Sequence, residues 1–113
     1  MNTTPLESEE QKVLVEYLEL KNIKFSAIPN STFTKSWKQK MFNKAMGVRA
    51  GLPDLLLIIN NKIVFIEMKR AKGSVISDYQ KDWMVKLNNC EGVNVYVCYS
   101  FEEAKAVVNK LLN

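Results

Sequence analysis

Apolar positions along this chain recur in two rhythms. Near the start, Val13, Leu14, Tyr17 and Leu18 fall at the spacing of one helical face. Ser8-Glu9-Glu10-Gln11 ahead of them fits a capping box, with Ser8 as N-cap and Gln11 reaching back to it, and Asn22 is placed to end the helix. Residues 24–28 read as a short strand stopped by Pro29-Asn30. Residues 31–46 are polar and basic, helical in their second half, with Trp37, Met41 and Phe42 as apolar anchors and Gly47 as terminator. Residues 52–59 and 62–69 are almost continuously apolar, which predicts two strands covered on both faces. Asn60-Asn61 joins them, and asparagine tolerates the left-handed conformation of a tight hairpin turn. Ser77-Asp78-Tyr79-Gln80 opens another helix to about residue 89. A strand follows over 93–98, and Ser100-Phe101-Glu102-Glu103 caps a last helix to Leu112. The expected order is α-β-α-β-β-α-β-α, an α/β fold with a mixed sheet flanked by helices.

Composition narrows the class. At 113 residues, with 47% hydrophobic and 25% charged residues, the chain suits one domain spanning 1–113. A domain of this size folds without disulfides or a structural metal. No apolar run approaches the roughly 18 residues of a membrane helix, and the start Met-Asn-Thr-Thr-Pro carries no signal-peptide pattern. The expectation is a cytoplasmic protein with no membrane partner. Cys90 and Cys98 form no CxxC pair, so they read as buried free thiols rather than a zinc site. The chain has no histidine, which removes serine–histidine hydrolases, histidine-ligated metalloproteases and histidine-based nucleases together. Acid–base or metal chemistry has to run on carboxylates, lysines and water.

The net charge of +4 is unevenly spread. Lys21, Lys24, Lys35, Lys38, Lys40, Lys44 and Arg49 lie in a stretch, residues 21–50, that has no acidic residue. Glu7, Glu9, Glu10, Glu16 and Glu19 precede it. Such segregation points to an anionic partner, most commonly nucleic acid, against the plainer reading of a solvated basic face.

The hairpin supplies the chemistry. A two-residue turn at Asn60-Asn61 pairs Ile59 with Lys62 and, counting outward, sets Asp54 opposite Glu67. Their Cβ atoms would then stand roughly 4.5–5.5 Å apart on one face, close enough to share a hard cation. Lys69 emerges on the same face two residues on. Mg²⁺ takes one or two carboxylates, keeps several waters and accepts a phosphate oxygen, while Lys69 would orient the attacking water or stabilise the transition state. The alternative is a pair of strand-end carboxylates salt-bridged to Lys69 and Arg49.

At this point the motifs become familiar. Gly51-Leu52-Pro53-Asp54, twelve intervening residues, then Glu67-Met68-Lys69 resembles the PD-(D/E)xK nuclease signature. The wider string Gly47-Val48-Arg49-Ala50-Gly51-Leu52-Pro53-Asp54 resembles the VRR-NUC branch of that superfamily. So do Ser8-Glu9-Glu10-Gln11, Ile28-Pro29-Asn30 and Ser77-Asp78-Tyr79-Gln80, an ordered set covering nearly the whole chain. The match is closest in kind to the short stand-alone VRR-NUC proteins of phages and bacteria. The resemblance implies a restriction-endonuclease-like sheet, with Asp54 and Glu67 as metal-binding carboxylates, the carbonyl of Met68 as a further ligand and Lys69 as the catalytic lysine. It also implies a first-helix glutamate at the metal. Glu9 fits by the SExQ spacing and is preferred, whereas Glu10 fits by periodicity, and either could be a first-turn glutamate favoured by the helix dipole. Gln80 matches a glutamine near the metal or simply completes a capping box. Asn30 contacts the substrate backbone or finishes a strand. Gly51 lets the backbone approach metal or phosphate. Trp37 and Trp83 read as core or interface rather than stacking platforms.

The function implied is a Mg²⁺- or Mn²⁺-dependent DNA endonuclease, structure-selective for four-way (Holliday) junctions or branched DNA and acting as a homodimer. Lys35, Lys38, Lys40, Lys44 and Arg49 would hold phosphates. The competing readings are a DNA-binding module that does not cut and a sequence-specific restriction-type enzyme, for which little chain is left over.

Overall fold

The centre of the fold is the Asn60-Asn61 hairpin, which joins β2 (Leu55–Ile59) to β3 (Lys62–Met68). The computed structural model describes residues 6–29, 35–71 and 73–113. Asn60 and Asn61 take φ of 50° and 66°, so the strands close through a tight left-handed turn. Ile59 pairs with Lys62 and Leu55 with Ile66, the register expected from the turn. β1 (Lys24–Ala27) adds antiparallel to the other side of β2, and β4 (Val93–Cys98) adds parallel to β3. The sheet order is β1-β2-β3-β4. A parallel neighbour needs a crossover, which α3 (Asp78–Asn88) provides. The remaining helices are α1 (Glu7–Leu20), α2 (Trp37–Ala45) and α4 (Phe101–Leu112). The mixed sheet with flanking helices is the architecture expected from the sequence.

Strand alternation divides the labour of the sheet's two faces. Leu55, Leu57 and Ile59 of β2 share one face with Val64, Ile66 and Met68 of β3. They are sealed there by Leu14 and Leu18 of α1 and Ala104 and Val108 of α4. Full burial of each such side chain contributes roughly 1.5–3 kcal/mol, so this layer is the main core. The opposite face carries Glu67 and Phe65, and α3 meets it through Gln80. Coverage of that face is uneven. Residues 64–68 of β3 are all buried, but Ile58 and Ile63 are about two-fifths exposed. The expectation that both strands are covered on both faces therefore holds for residues 64–68 of β3 and fails near the turn, at Ile58 of β2 and Ile63 of β3.

Helix ends differ from expectation in one informative place. α1 begins at Glu7 with Leu6 as its N-cap, so Ser8 lies inside the first turn rather than capping it. The Glu9 carboxylate accepts from the Leu6 amide at 3.4 Å, the return half of a capping box whose other half leucine has no side-chain oxygen to supply. Asn22, at φ 56°, follows the helix in the left-handed region, where a terminating residue belongs. Ser36, Ser77 and Ser100 cap α2, α3 and α4 through bonds from Gln39, Gln80 and Glu103 amides. α2 buries no residue, and Trp37, Met41 and Phe42 are exposed instead of anchoring it. Cys98 is buried as expected, but Cys90 is exposed. Among the described residues no helix is long and apolar enough to cross a membrane.

Candidate active site

Asp54 stands one residue ahead of β2, at the end of a turn that begins after α2. Its position is fixed twice: its carbonyl accepts from the Ile28 amide at 2.8 Å, and its Oδ2 accepts from the Met68 amide at 2.7 Å. The second bond ties the carboxylate to the strand that carries Glu67. Ladder pairing between β2 and β3 stops at Leu55–Ile66, so Asp54 and Glu67 face each other one step beyond it. A residue's N–H and C=O leave a strand on the same side, so the Met68 carbonyl also turns toward Asp54. On its other side β3 is held by β4, where the Lys69 amide donates to the Cys98 carbonyl at 2.8 Å.

Glu67 and Lys69 are both buried, at 4% and 7% exposure. The Lys69 Nζ lies 3.5 Å from Glu67 Oε2. Gln80 of α3 joins them: its Nε2 donates to Glu67 Oε2 at 2.8 Å, and its Oε1 accepts from Lys69 Nζ at 3.0 Å. The same Oε1 accepts from the Ser77 amide at 3.0 Å, while the Gln80 amide donates to Ser77 Oγ at 3.2 Å. The capping box expected of Gln80 is realised, and the same side chain also bridges Glu67 and Lys69. Arg49 takes no part in this pairing. Its Nη1 donates to the carbonyls of Lys44 and Val48, clamping the end of α2.

Burial sets the electrostatics. Desolvation raises the Glu67 carboxyl to about 7, and the charge of Asp54 pushes it the same way, against the pull of Lys69. Asp54 is also raised, chiefly by burial, although the Met68 amide favours its ionised form. Two adjacent carboxylates with raised proton affinity, facing the single ammonium of Lys69, concentrate negative charge in a desolvated site. That is what a hard cation relieves and what a purely structural ion pair avoids.

The first-helix glutamates take different partners. Glu9 is spent on the helix's own N-terminus, and Glu10 Oε2 accepts from the Phe101 amide at 2.7 Å, tying α1 to α4. The first-helix carboxylate whose charge reaches both Asp54 and Glu67 is Glu7. Its Oε1 accepts from Ser74 Oγ at 3.1 Å, and Ser74 Oγ in turn accepts from the Arg70 amide at 2.7 Å. Sequence reasoning missed both Glu7 and Ser74, and only the acidic run Glu7, Glu9, Glu10 hinted at the first. Among the described residues no three His, Cys, Asp or Glu side chains already converge as a metal cluster. The oxygens that would face a cation are the two carboxylates and the Met68 carbonyl, with Glu7 nearby. Such a set suits Mg²⁺ or Mn²⁺ with retained waters.

Gly51 permits a close approach to α3. At φ 104°, a Cβ there would lie 2.6 Å from the Tyr79 backbone and 2.9 Å from Trp83 Cδ1. The glycine lets the turn before Asp54 press against α3, and Trp83 Nε1 locks it by donating to the Ala50 carbonyl at 3.0 Å. Trp83 is accordingly a packing residue, as expected, whereas Trp37 is 72% exposed. Lys35, Lys38, Lys40, Lys44 and Arg49 are all exposed, well placed for a polyanion. Asn30 lies outside the described residues.

A four-stranded mixed sheet that presents facing carboxylates and a buried lysine at the end of its hairpin belongs to the restriction-endonuclease-like class of α/β folds. The comparisons are specific. The profile described as VRR-NUC domain matches residues 4–102, and the chain belongs to that family of nuclease-type domains. Two solved structures share the fold. A "VRR_NUC domain protein" has a TM-score of 0.75 at 23% identity, covering 97% of this chain and 90% of that one. A "VRR_NUC domain" structure has a TM-score of 0.65 at 24% identity, covering 91% and 94%. No curated protein matches the sequence.

Proposed function

We propose that this protein is a divalent-metal-dependent endonuclease that hydrolyses phosphodiester bonds in branched or otherwise structurally distinct DNA, acting as a homodimer. The observation that carries the reading is the convergence of Asp54, Glu67, Lys69 and Gln80 at one end of the hairpin. Asp54, Glu67 and the Met68 carbonyl would hold Mg²⁺ or Mn²⁺, with Glu7 adding negative charge from α1. Such a cation supplies acidified water and charge neutralisation at the scissile phosphate. Lys69 keeps its ammonium aimed into the site because Gln80 accepts from it. There it positions the attacking water or donates to the phosphate as charge develops. Exposed lysines of the 35–49 segment bind flanking phosphates, an affinity that falls with salt. Each chain has one such site, so paired incision of a two-fold branched substrate calls for two subunits.

The test is cleavage of an immobile four-way junction beside a linear duplex of the same sequence, with Mg²⁺, Mn²⁺ or EDTA. Junction cutting that EDTA blocks, and that Lys69→Ala lowers by at least about a hundredfold without loss of DNA binding, is the expected result. Equal cutting of both substrates removes the structure selectivity. Tight binding without cutting under any metal makes the chain a DNA-binding module on a nuclease fold.

A further inference from the structure

Helix α2 is inverted relative to an ordinary surface helix. Trp37 is 72% exposed, Met41 51%, Phe42 59% and Met46, just past the helix, 68%. Of the nine helical residues only Asn43, on the polar side where Gln39 Nε2 donates to its Oδ1 at 2.7 Å, is partly buried. Helical spacing gives the outward side its order. Trp37 and Met41 form a central row, Lys40 and Lys44 flank it on one side, and Lys38, Phe42 and Met46 follow on the other. A patch this apolar marks a recognition surface, and its lysines say what kind. No acidic residue occurs anywhere in 21–50 to offset them. A second copy laid on the same face would bring both sets of lysines together, which disfavours self-pairing.

The occupant has to be anionic and also offer flat apolar surface. Duplex DNA presents mostly phosphate ridges, whereas DNA with unpaired bases presents phosphates and open π-faces side by side. Position relative to the site agrees. Residues 46–53 are all that separate α2 from Asp54, and a chain of that length spans at most about 30 Å. Trp83 and Gly51 pin the middle of this connection, and Arg49 clamps its start to the end of α2. The end of the exposed face nearest this connection, Phe42 to Met46, therefore lies within about one helical turn of DNA from the carboxylates.

We propose that α2 is a base-contacting wedge: Trp37 and Phe42 stack on unpaired bases at a discontinuity in DNA, while Lys38, Lys40 and Lys44 hold the adjoining phosphates. This rests on the nuclease reading and gives it a substrate class, DNA that carries unpaired bases near the cleavage point.

The experiment measures binding of the full chain, in EDTA so that nothing is cut, to a labelled duplex and to the same duplex with a central unpaired tract. Wild type, Trp37→Ala and Phe42→Ala are compared, and all three are also assayed for cleavage with Mg²⁺. Wild type should prefer the unpaired tract. Each variant should lose at least about tenfold of affinity for it while duplex binding stays nearly unchanged. Tryptophan emission of wild type should be quenched by the unpaired tract, and that response should vanish in Trp37→Ala. If wild type cuts DNA but both variants keep the preference, the wedge is wrong and the nuclease reading stands. If wild type neither binds nor cuts, both fall. Light scattering that shows Trp37→Ala turning a dimer into a monomer, with DNA preference intact, assigns the face to a second copy instead. Trp37-dependent binding to phosphatidylserine vesicles without Trp37-dependent DNA binding assigns it to a membrane surface.

Discussion

Without metal, the protein should lose stability as pH rises from 4.5 to 7. The Glu67 carboxyl moves from 4.5 to about 7 on folding, so the folded state holds that proton more tightly than the unfolded chain does. Below about pH 4.5 both states are protonated and the full stability is present. As pH rises from 4.5 to 7 the unfolded chain ionises first, and stability is lost until the folded carboxyl ionises too. The displacement corresponds to about 3 kcal/mol, a large share of the 5–15 kcal/mol typical of a domain. Asp54 is shifted in the same direction and adds to the loss. Urea denaturation in EDTA from pH 4.5 to 8, run on wild type and Glu67→Gln, isolates the effect. The variant should lack most of the decline whatever its absolute stability. Adding Mg²⁺ at pH 8 should restore wild type, because a ligand that binds only the folded state stabilises it. A wild-type stability that parallels Glu67→Gln across the window would refute the argument, because burial would then not be opposing the charge.

Three further outcomes separate the individual roles. Gly51→Ala should lower stability by about 2–3 kcal/mol in thermal or urea melts, since its Cβ would collide with the Tyr79 backbone at a φ that side chains avoid. Ser77→Ala should cost about 1 kcal/mol as a lost cap and leave cleavage near wild type, whereas Gln80→Ala keeps that cap, loses the return bond to the Ser77 amide and should lose cleavage, read by parallel melts and nicking assays. Glu7→Gln should weaken Mn²⁺ binding in calorimetric titration by about tenfold, and Glu9→Gln should leave it alone; the reverse pattern would return the role to Glu9.

What could be read from the sequence follows from how local each constraint is. The hairpin register was legible because strand alternation has an exact period of two and Asn60-Asn61 fixes its phase within two residues. Asp54, Glu67 and Lys69 inherit their common face from that arithmetic. The start of α1 was not legible, because Ser8-x-x-Gln11 imitates a capping box while the Glu9 carboxylate caps from inside the helix. That displacement puts Glu7, not Ser8, at the first helical position. The exposure of α2 was hidden for another reason. An apolar stripe looks identical in sequence whether its own chain covers it or a partner does. Gly51 needed the tertiary structure, since nothing near it in the chain announces the backbone of Tyr79.

Gln80 makes the site depend on a helix that lies outside the hairpin. Its side chain reaches Glu67 and Lys69 while also closing the first turn of α3, and α3 is the crossover that brings β4 beside β3. The hairpin and its flanks contain Asp54, Glu67 and Lys69 but not the side chain that steadies the last two. A copy cut short before α3 would therefore carry these charges without the contact that aligns them.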